Sequence, residues 1–201
     1  MREMIKMVVV LTILSAFSGG LLAAVRSGTK ERIANQELKF VKGPAIKSIL
    51  ENASNDPIKD RFKIQDGDIE RLFFVGIFDG KATTVVFESF ASGFADVIGL
   101  MVGVNVAEDK FSGAGVTTHK ETPGLGAKAK NDPSWIAQFQ GLSTNEDINE
   151  DIKVTNDGGT INAISGATIT SRAVCVAATD AGKIYNRLKP QIQEKLKAFT
   201  K

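Results

Sequence analysis

Residues 7–25 (MVVVLTILSAFSGGLLAAV) run without a single charge, between Arg2 and Lys6 on one side and Arg26, Lys30 and Arg32 on the other. As a helix rising about 1.5 Å per residue, that stretch spans roughly 28 Å, close to the thickness of bilayer hydrocarbon. Gly19, Gly20, Ala23 and Ala24 are small residues of the kind that let membrane helices approach closely. A cleaved signal peptide is the other reading. The apolar run exceeds the usual ~7–15-residue core of such peptides, and Leu22-Ala23-Ala24 is a poor small-x-small cleavage site. An uncleaved membrane anchor is the expectation. Basic residues flank both ends, so charge alone does not orient it.

Beyond the anchor, residues 30–53 read as helical with an interruption at Gly43-Pro44, and Ile46, Ile49 and Leu50 share one stripe. A strand-rich block follows. Residues 72–78 and 83–87 are β-prone runs around Asp79-Gly80, a strong hairpin signal. Residues 97–106 alternate as a strand, and 111–118 follow across a short polar turn as its partner. Residues 132–140 predict a short helix burying Trp135, Ile136 and Phe139, with Asp132-Pro133 as cap and first-turn proline. Residues 152–155 and 160–164, around Asp157-Gly158-Gly159, predict a further hairpin. From Ser171 onward, Val174, Ala177, Ala178, Ala181, Ile184, Tyr185 and Leu188 repeat at helical spacing, which predicts an amphipathic helix broken at Pro190 and followed by a Lys-rich tail. Hairpins with flanking helices make an α+β domain with an antiparallel sheet, behind a single transmembrane helix.

Composition narrows the chemistry. One Cys and one His exclude a disulfide framework and a Cys-rich or multi-His metal site within one chain, so no metal is expected. The net charge of +2 resolves by position. Residues 1–32 hold five basic groups against Glu3 and Glu31, which leaves 20 basic and 21 acidic groups in 33–201. The soluble part is slightly acidic, and nucleic acid is not an expected partner. Cys175, inside the long helix, reads as a small buried hydrophobe, and Trp135 with the many Phe residues as core rather than electron relays.

Two segments carry candidate chemistry. In Ser165-Gly166-Ala167-Thr168-Ile169-Thr170-Ser171, three hydroxyls crowd the start of the long helix, where backbone N–H groups lack partners and the dipole is positive. A phosphate would sit well there, and a simple hydroxyl cap is the plainer alternative. The loop from Thr117 to Gly126 holds the only His, a Pro, two glycines and an apolar Leu125 among polar neighbours. Those parts suit gripping a flat, partly polar ring, and suit an ordinary surface loop equally.

Taken together, the anchor, the H-K-E-T-P-G-L-G loop and S-G-A-T-I-T-S ahead of an amphipathic helix resemble the FMN-binding RnfG family of the Rnf electron transport complex. That family is similar to the NqrC family of the sodium-pumping quinone reductase, whose chains are usually longer. The resemblance implies an anchor over residues 1–28, a helical linker region over 29–60 and an FMN-binding domain over 61–201. It implies FMN held by a phosphoester from its phosphate to Thr168, with Ser165, Gly166 and Ala167 as motif neighbours. It also lays His119, Glu121, Thr122, Pro123, Gly124, Leu125 and Gly126 along the flavin.

Thr168 is then a site of modification by a separate flavin transferase, and no residue of this chain is catalytic. The implied role is an electron-carrier subunit of a ferredoxin:NAD oxidoreductase that moves sodium or protons. Its partners would be the other proteins of the complex, in a bacterial or archaeal cell membrane, with the domain on the extracytoplasmic side. A tether keeps a cofactor used for electron transfer from drifting away while leaving its ring chemistry free. Two departures from the family stand out: Asn162 replaces the usual Asp six residues before the modified threonine, and residues 93–98 (GFADVI) differ from the common G-Y-G-G-P-I. The rival readings are a flavin-less extracytoplasmic scaffold or binding module of the same fold, and an anchored hydrolase. Against the hydrolase, no triad spacing or nucleophile elbow is present.

Overall fold

Asp79 and Gly80, with φ of 50° and 75°, form the two-residue turn that the hairpin signal predicts. In the computed structural model, which describes residues 1–145 and 152–199, that turn joins β2 (Ile69–Phe78) to β3 (Lys81–Ser92). With β1 (Arg61–Asp66), β4 (Val97–Asn105) and β5 (Lys110–Val116) they make one antiparallel sheet in the order β1-β2-β3-β4-β5. The α+β expectation stands. Strands β2 to β5 fall where the alternation places them; β1 is an addition to the expected set. Its apolar Phe62 and Ile64 alternate over only six residues of an edge strand, too short a pattern to stand out.

The chain divides into two compact units, Met1–Phe40 and Val41–Lys201. The first is almost entirely α1 (Arg2–Glu37), whose residues are nearly all exposed and which is long and apolar enough to cross a membrane. Gly43-Pro44 does not interrupt the helical stretch as expected. The irregularity comes earlier, as a π-helical turn over Leu38–Lys42, and Pro44 sits in the first turn of α2 (Gly43–Ile49), where no N–H is needed. Helical structure ends at Ile49, short of the expected 53.

In the second unit, α5 (Thr168–Leu196) lies across one sheet face, its Ala177, Ala178 and Ala181 letting it approach Val85, Phe87, Leu100 and Val102. Pro190 lies inside this helix and does not break it. Its missing hydrogen bond costs about 3 kcal/mol, and burial of Ile192 and Leu196 beyond it returns about 1.5–3 kcal/mol for each side chain. Asp66 ties β1 to the helix: Arg187 donates to its two oxygens at 3.0 and 2.7 Å, and Arg71 Nε donates at 2.6 Å. The opposite face is covered in part by α2. Gly103 permits this, since a Cβ there would lie 2.3 Å from Ile49 Cγ2.

Two short helices, α3 (Lys128–Asn131) and α4 (Pro133–Ile136), follow β5. Asp132 caps α4 as expected, Trp135 and Phe139 are buried, and Ile136 is only partly so. The Trp135 indole donates to the Asn162 carbonyl at 2.7 Å, a structural role in keeping with core. The hairpin expected over residues 152–164 does not form. A 3-10 turn at Thr155–Asp157 turns the chain so that Val154 and Ile161 meet as one parallel bridge. Asp157 is drawn off to accept two hydrogen bonds from Arg172, at 2.6 and 2.7 Å.

Candidate functional site

The end of the sheet where β3 turns into β4 is also where β5 leaves it, since Gly99 and Thr117–Thr118 exchange backbone bonds at 2.8 and 2.9 Å. The 93–96 turn and the 117–126 loop therefore emerge side by side, and α5 begins next to them. Glu121 joins all three. It is 5% exposed; one oxygen accepts from the N–H groups of Phe94 and Ala95 at 3.0 Å each, and the other accepts from the Thr170 hydroxyl. Burial alone would raise its carboxyl, but the Thr170 hydroxyl and the two backbone donors outweigh burial and hold it below the ordinary carboxylate range.

His119 supports this loop from behind. Its Nδ1 accepts the Glu121 N–H at 3.2 Å, which requires a neutral acceptor nitrogen. Burial first, then the nearby Lys130 charge, lowers its basicity, with Glu121 acting in opposition. Outside, Lys120 pairs with Asp96 at 2.5 Å across the two loops.

Around Glu121 lies a cleft of about 390 Å³, bordered by Phe94, Thr122, Leu125, Gly126, Gly166, Ala167, Thr168, Ile169 and Thr170. The structure thus brings together seven of the residues singled out in the sequence: Glu121, Thr122, Leu125, Gly126, Gly166, Ala167 and Thr168. His119, Pro123, Gly124 and Ser165 stay off the lining. Gly124 and Gly166 take φ of 77° at the two loop bends, and Leu125 is exposed as expected.

No hydroxyl caps α5. Ala167 occupies the N-cap position, while Ser171 is turned inward, accepting from Ile164 N–H at 2.9 Å and donating to Ala167 O at 3.0 Å. Among the described residues, neither the half-buried Thr168 hydroxyl nor the first-turn N–H groups of Thr168, Ile169 and Thr170 have a protein partner. Four donors at the positive end of a 29-residue helix, opening on a cleft, suit an anion.

Phe94 and Ile169 are site residues that the sequence reading misses, whereas Thr170 is among the hydroxyls it places at the helix start. Ile169 carries a signal, an apolar residue off the buried stripe of its helix. Phe94 carries none, because its partner Glu121 lies 27 residues away, and the bond from Thr170 to Glu121, across 49 residues, is equally invisible to spacing.

The FMN-binding domain family matches residues 93–183, which hold the whole cleft. The G subunit of the ion-translocating oxidoreductase complex of Pseudomonas aeruginosa (strain UCBPP-PA14) is 31% identical over 194 residues, covering 92% of this chain and 90% of that protein. Its namesake from Methanosarcina acetivorans is 31% identical over 175 residues, covering 86% and 89%. Among solved structures, Shewanella oneidensis NqrC aligns with a TM-score of 0.52 at 23% identity, over 71% of this chain and 72% of that one. The C subunit of the Na(+)-translocating NADH-quinone reductase of Parabacteroides distasonis aligns with a TM-score of 0.51 at 20% identity, over 65% and 77%. These two show the fold.

Proposed function

This chain belongs to the family of the G subunits of ion-translocating oxidoreductase complexes, and we propose that it is the covalently flavinylated electron carrier of such a complex. The observation that carries the reading is the free Thr168 hydroxyl. It stands at the unpartnered N-terminus of α5 and borders a cleft also lined by the exposed apolar Phe94, Leu125 and Ile169. The donor set fits FMN. The N–H groups of Thr168, Ile169 and Thr170 are without protein partners at the helix end that bears Thr168, where they would meet its phosphate, and Leu125, Phe94 and Ile169 would supply apolar contact.

Bound FMN supplies the electron-accepting and electron-donating ring. This chain's residues hold it: Thr168 as the attachment oxygen, Glu121 and Thr170 as the frame, and the 119–126 loop as one wall. None of them acts as acid, base or nucleophile in the electron transfer. A separate flavin transferase makes the phosphoester. The α1 helix keeps the carrier at the membrane with its domain on the extracytoplasmic side. The complex around it passes electrons between ferredoxin and NAD and couples them to sodium or proton movement.

The test is direct. The natively expressed protein is denatured in acid and digested, and the peptide holding Thr168 stays yellow and carries the flavin mass. Flavin released on denaturation, or retained in Thr168→Val, contradicts the attachment. Asn162, at the position where the family's target motif carries Asp, favours a second reading, a flavin-less binding module of the same fold. An absorbance spectrum without flavin bands would carry that one.

A further inference from the structure

We propose that Phe94, in the turn joining β3 to β4, is the aromatic contact of the flavin's isoalloxazine ring, with Leu125 and Ile169 completing the apolar surface on which the ring lies. This rests on the reading that FMN is attached at Thr168, and it names the side chains that receive the ring.

A single exposed apolar residue needs no explanation. Here three converge. Phe94 is 68% exposed, Ile169 50% and Leu125 45%, and they come from three separate segments that border the same cleft as Thr168. The exposure of Phe94 is also imposed rather than incidental. From within, Glu121 accepts the Phe94 and Ala95 N–H groups at 3.0 Å each; from outside, Lys120 holds Asp96 at 2.5 Å; and the turn is closed by Gly93 N–H donating to Asp96 O at 2.9 Å. A turn fastened on both sides keeps its aromatic ring in the open.

The lining carries two kinds of surface. Thr168 and the unpaired helix N–H groups are polar, and Phe94, Leu125 and Ile169 are apolar. A ligand with a phosphate at one end and a flat, largely apolar ring system at the other matches that division. Residues 93–98 depart from the family's glycine-rich pattern at Ala95, Asp96 and Val97, while position 94 is aromatic in both. Its role is read from its hydrogen-bonded placement.

The experiment uses the flavinylated full chain carrying Phe94→Trp and reads flavin fluorescence per bound flavin, with the flavin counted by absorbance. An indole held against an isoalloxazine ring quenches its emission by electron transfer at contact. Phe90→Trp is the control, since Phe90 is equally open at 52% exposure but borders a different hollow beside Lys42, Glu88 and Met101. The expected result is a several-fold fall in emission for Phe94→Trp and no change for Phe90→Trp. Equal emission in wild type and Phe94→Trp, with flavin present, overturns the proposal and leaves the attachment at Thr168 standing. Wild-type protein isolated without flavin overturns the attachment and the ring contact with it. Phe94→Ala gives an independent reading should the indole disturb the turn. Iodide then quenches the bound flavin more strongly than in wild type, and an unchanged quenching constant counts against the contact.

Discussion

The Thr170 hydroxyl donates to the Glu121 carboxylate across 49 residues of sequence, and this bond fastens the start of α5 to the loop that leaves the sheet. The other carboxylate oxygen holds the 93–96 turn. Three segments that meet nowhere in the sequence are thus set around Thr168 by one buried side chain.

Glu121→Ala leaves two N–H groups and a hydroxyl without their charged acceptor in a buried place, and is expected to destabilise the domain by about 2–4 kcal/mol. Glu121→Gln keeps an acceptor oxygen and loses less. Because the native carboxyl is held below its ordinary range, its contribution is complete at neutral pH and is lost as pH falls through the folded value. Denaturant unfolding over a series of acid pH values therefore shows a shallower acid limb in Glu121→Gln than in wild type.

Gly126 is where the framework leaves no room. A Cβ there would lie 2.7 Å from both Glu121 Oε2 and Thr170 Oγ1, and 2.8 Å from Glu121 Cβ. Gly126→Ala must push the carboxylate off Thr170, with an overpacking cost of about 1–3 kcal/mol. Thermal unfolding checks the loss. A wild-type melting temperature would show that the three segments do not depend on this contact.

Far from the cleft, Asp66 governs acid stability. Hydrogen bonds from Arg187 first and Arg71 second lower its carboxyl from 3.8 to about 2, against the effect of burial. The stabilisation is full above the ordinary value and disappears as pH falls from there to about 2. With Arg187 half exposed, it amounts to about 1–2 kcal/mol. Asp66→Asn is expected to lose that amount in urea unfolding at neutral pH and to converge with wild type in strong acid.

Cys175 is expected to be inert. It is 3% exposed, and burial, with Asp157 adding to it, pushes its thiol up to about 12. Native protein resists alkylation by iodoacetamide at mildly alkaline pH and reacts once unfolded. Rapid labelling of the folded chain would contradict the packing of α5.

Much of this fold is legible in residue order because its signals are local. Asp79-Gly80 demands a tight turn, the apolar run of β4 reads as a strand, and the repeat from Val174 to Leu188 marks the buried face of α5. The failures are places where distant packing overrides a local cue. Pro190 ought to end a helix, yet Ile192 and Leu196 are buried beyond it, and Asp157-Gly158-Gly159 ought to close a hairpin, yet Asp157 is taken by Arg172. The site divides in the same way. Glu121, Leu125 and Thr168 stand in recognisable motifs, whereas Phe94 is brought to the cleft by the bonds of its turn to Glu121 and Lys120, contacts that spacing does not encode.

Attachment of the flavin at Thr168 is read in one step from the mass of the intact, natively expressed chain. Wild-type protein is expected to be heavier than its sequence by one FMN joined with loss of water, and Thr168→Val to have the mass of its sequence alone. An unmodified wild-type mass, or the same adduct on Thr168→Val, would contradict it.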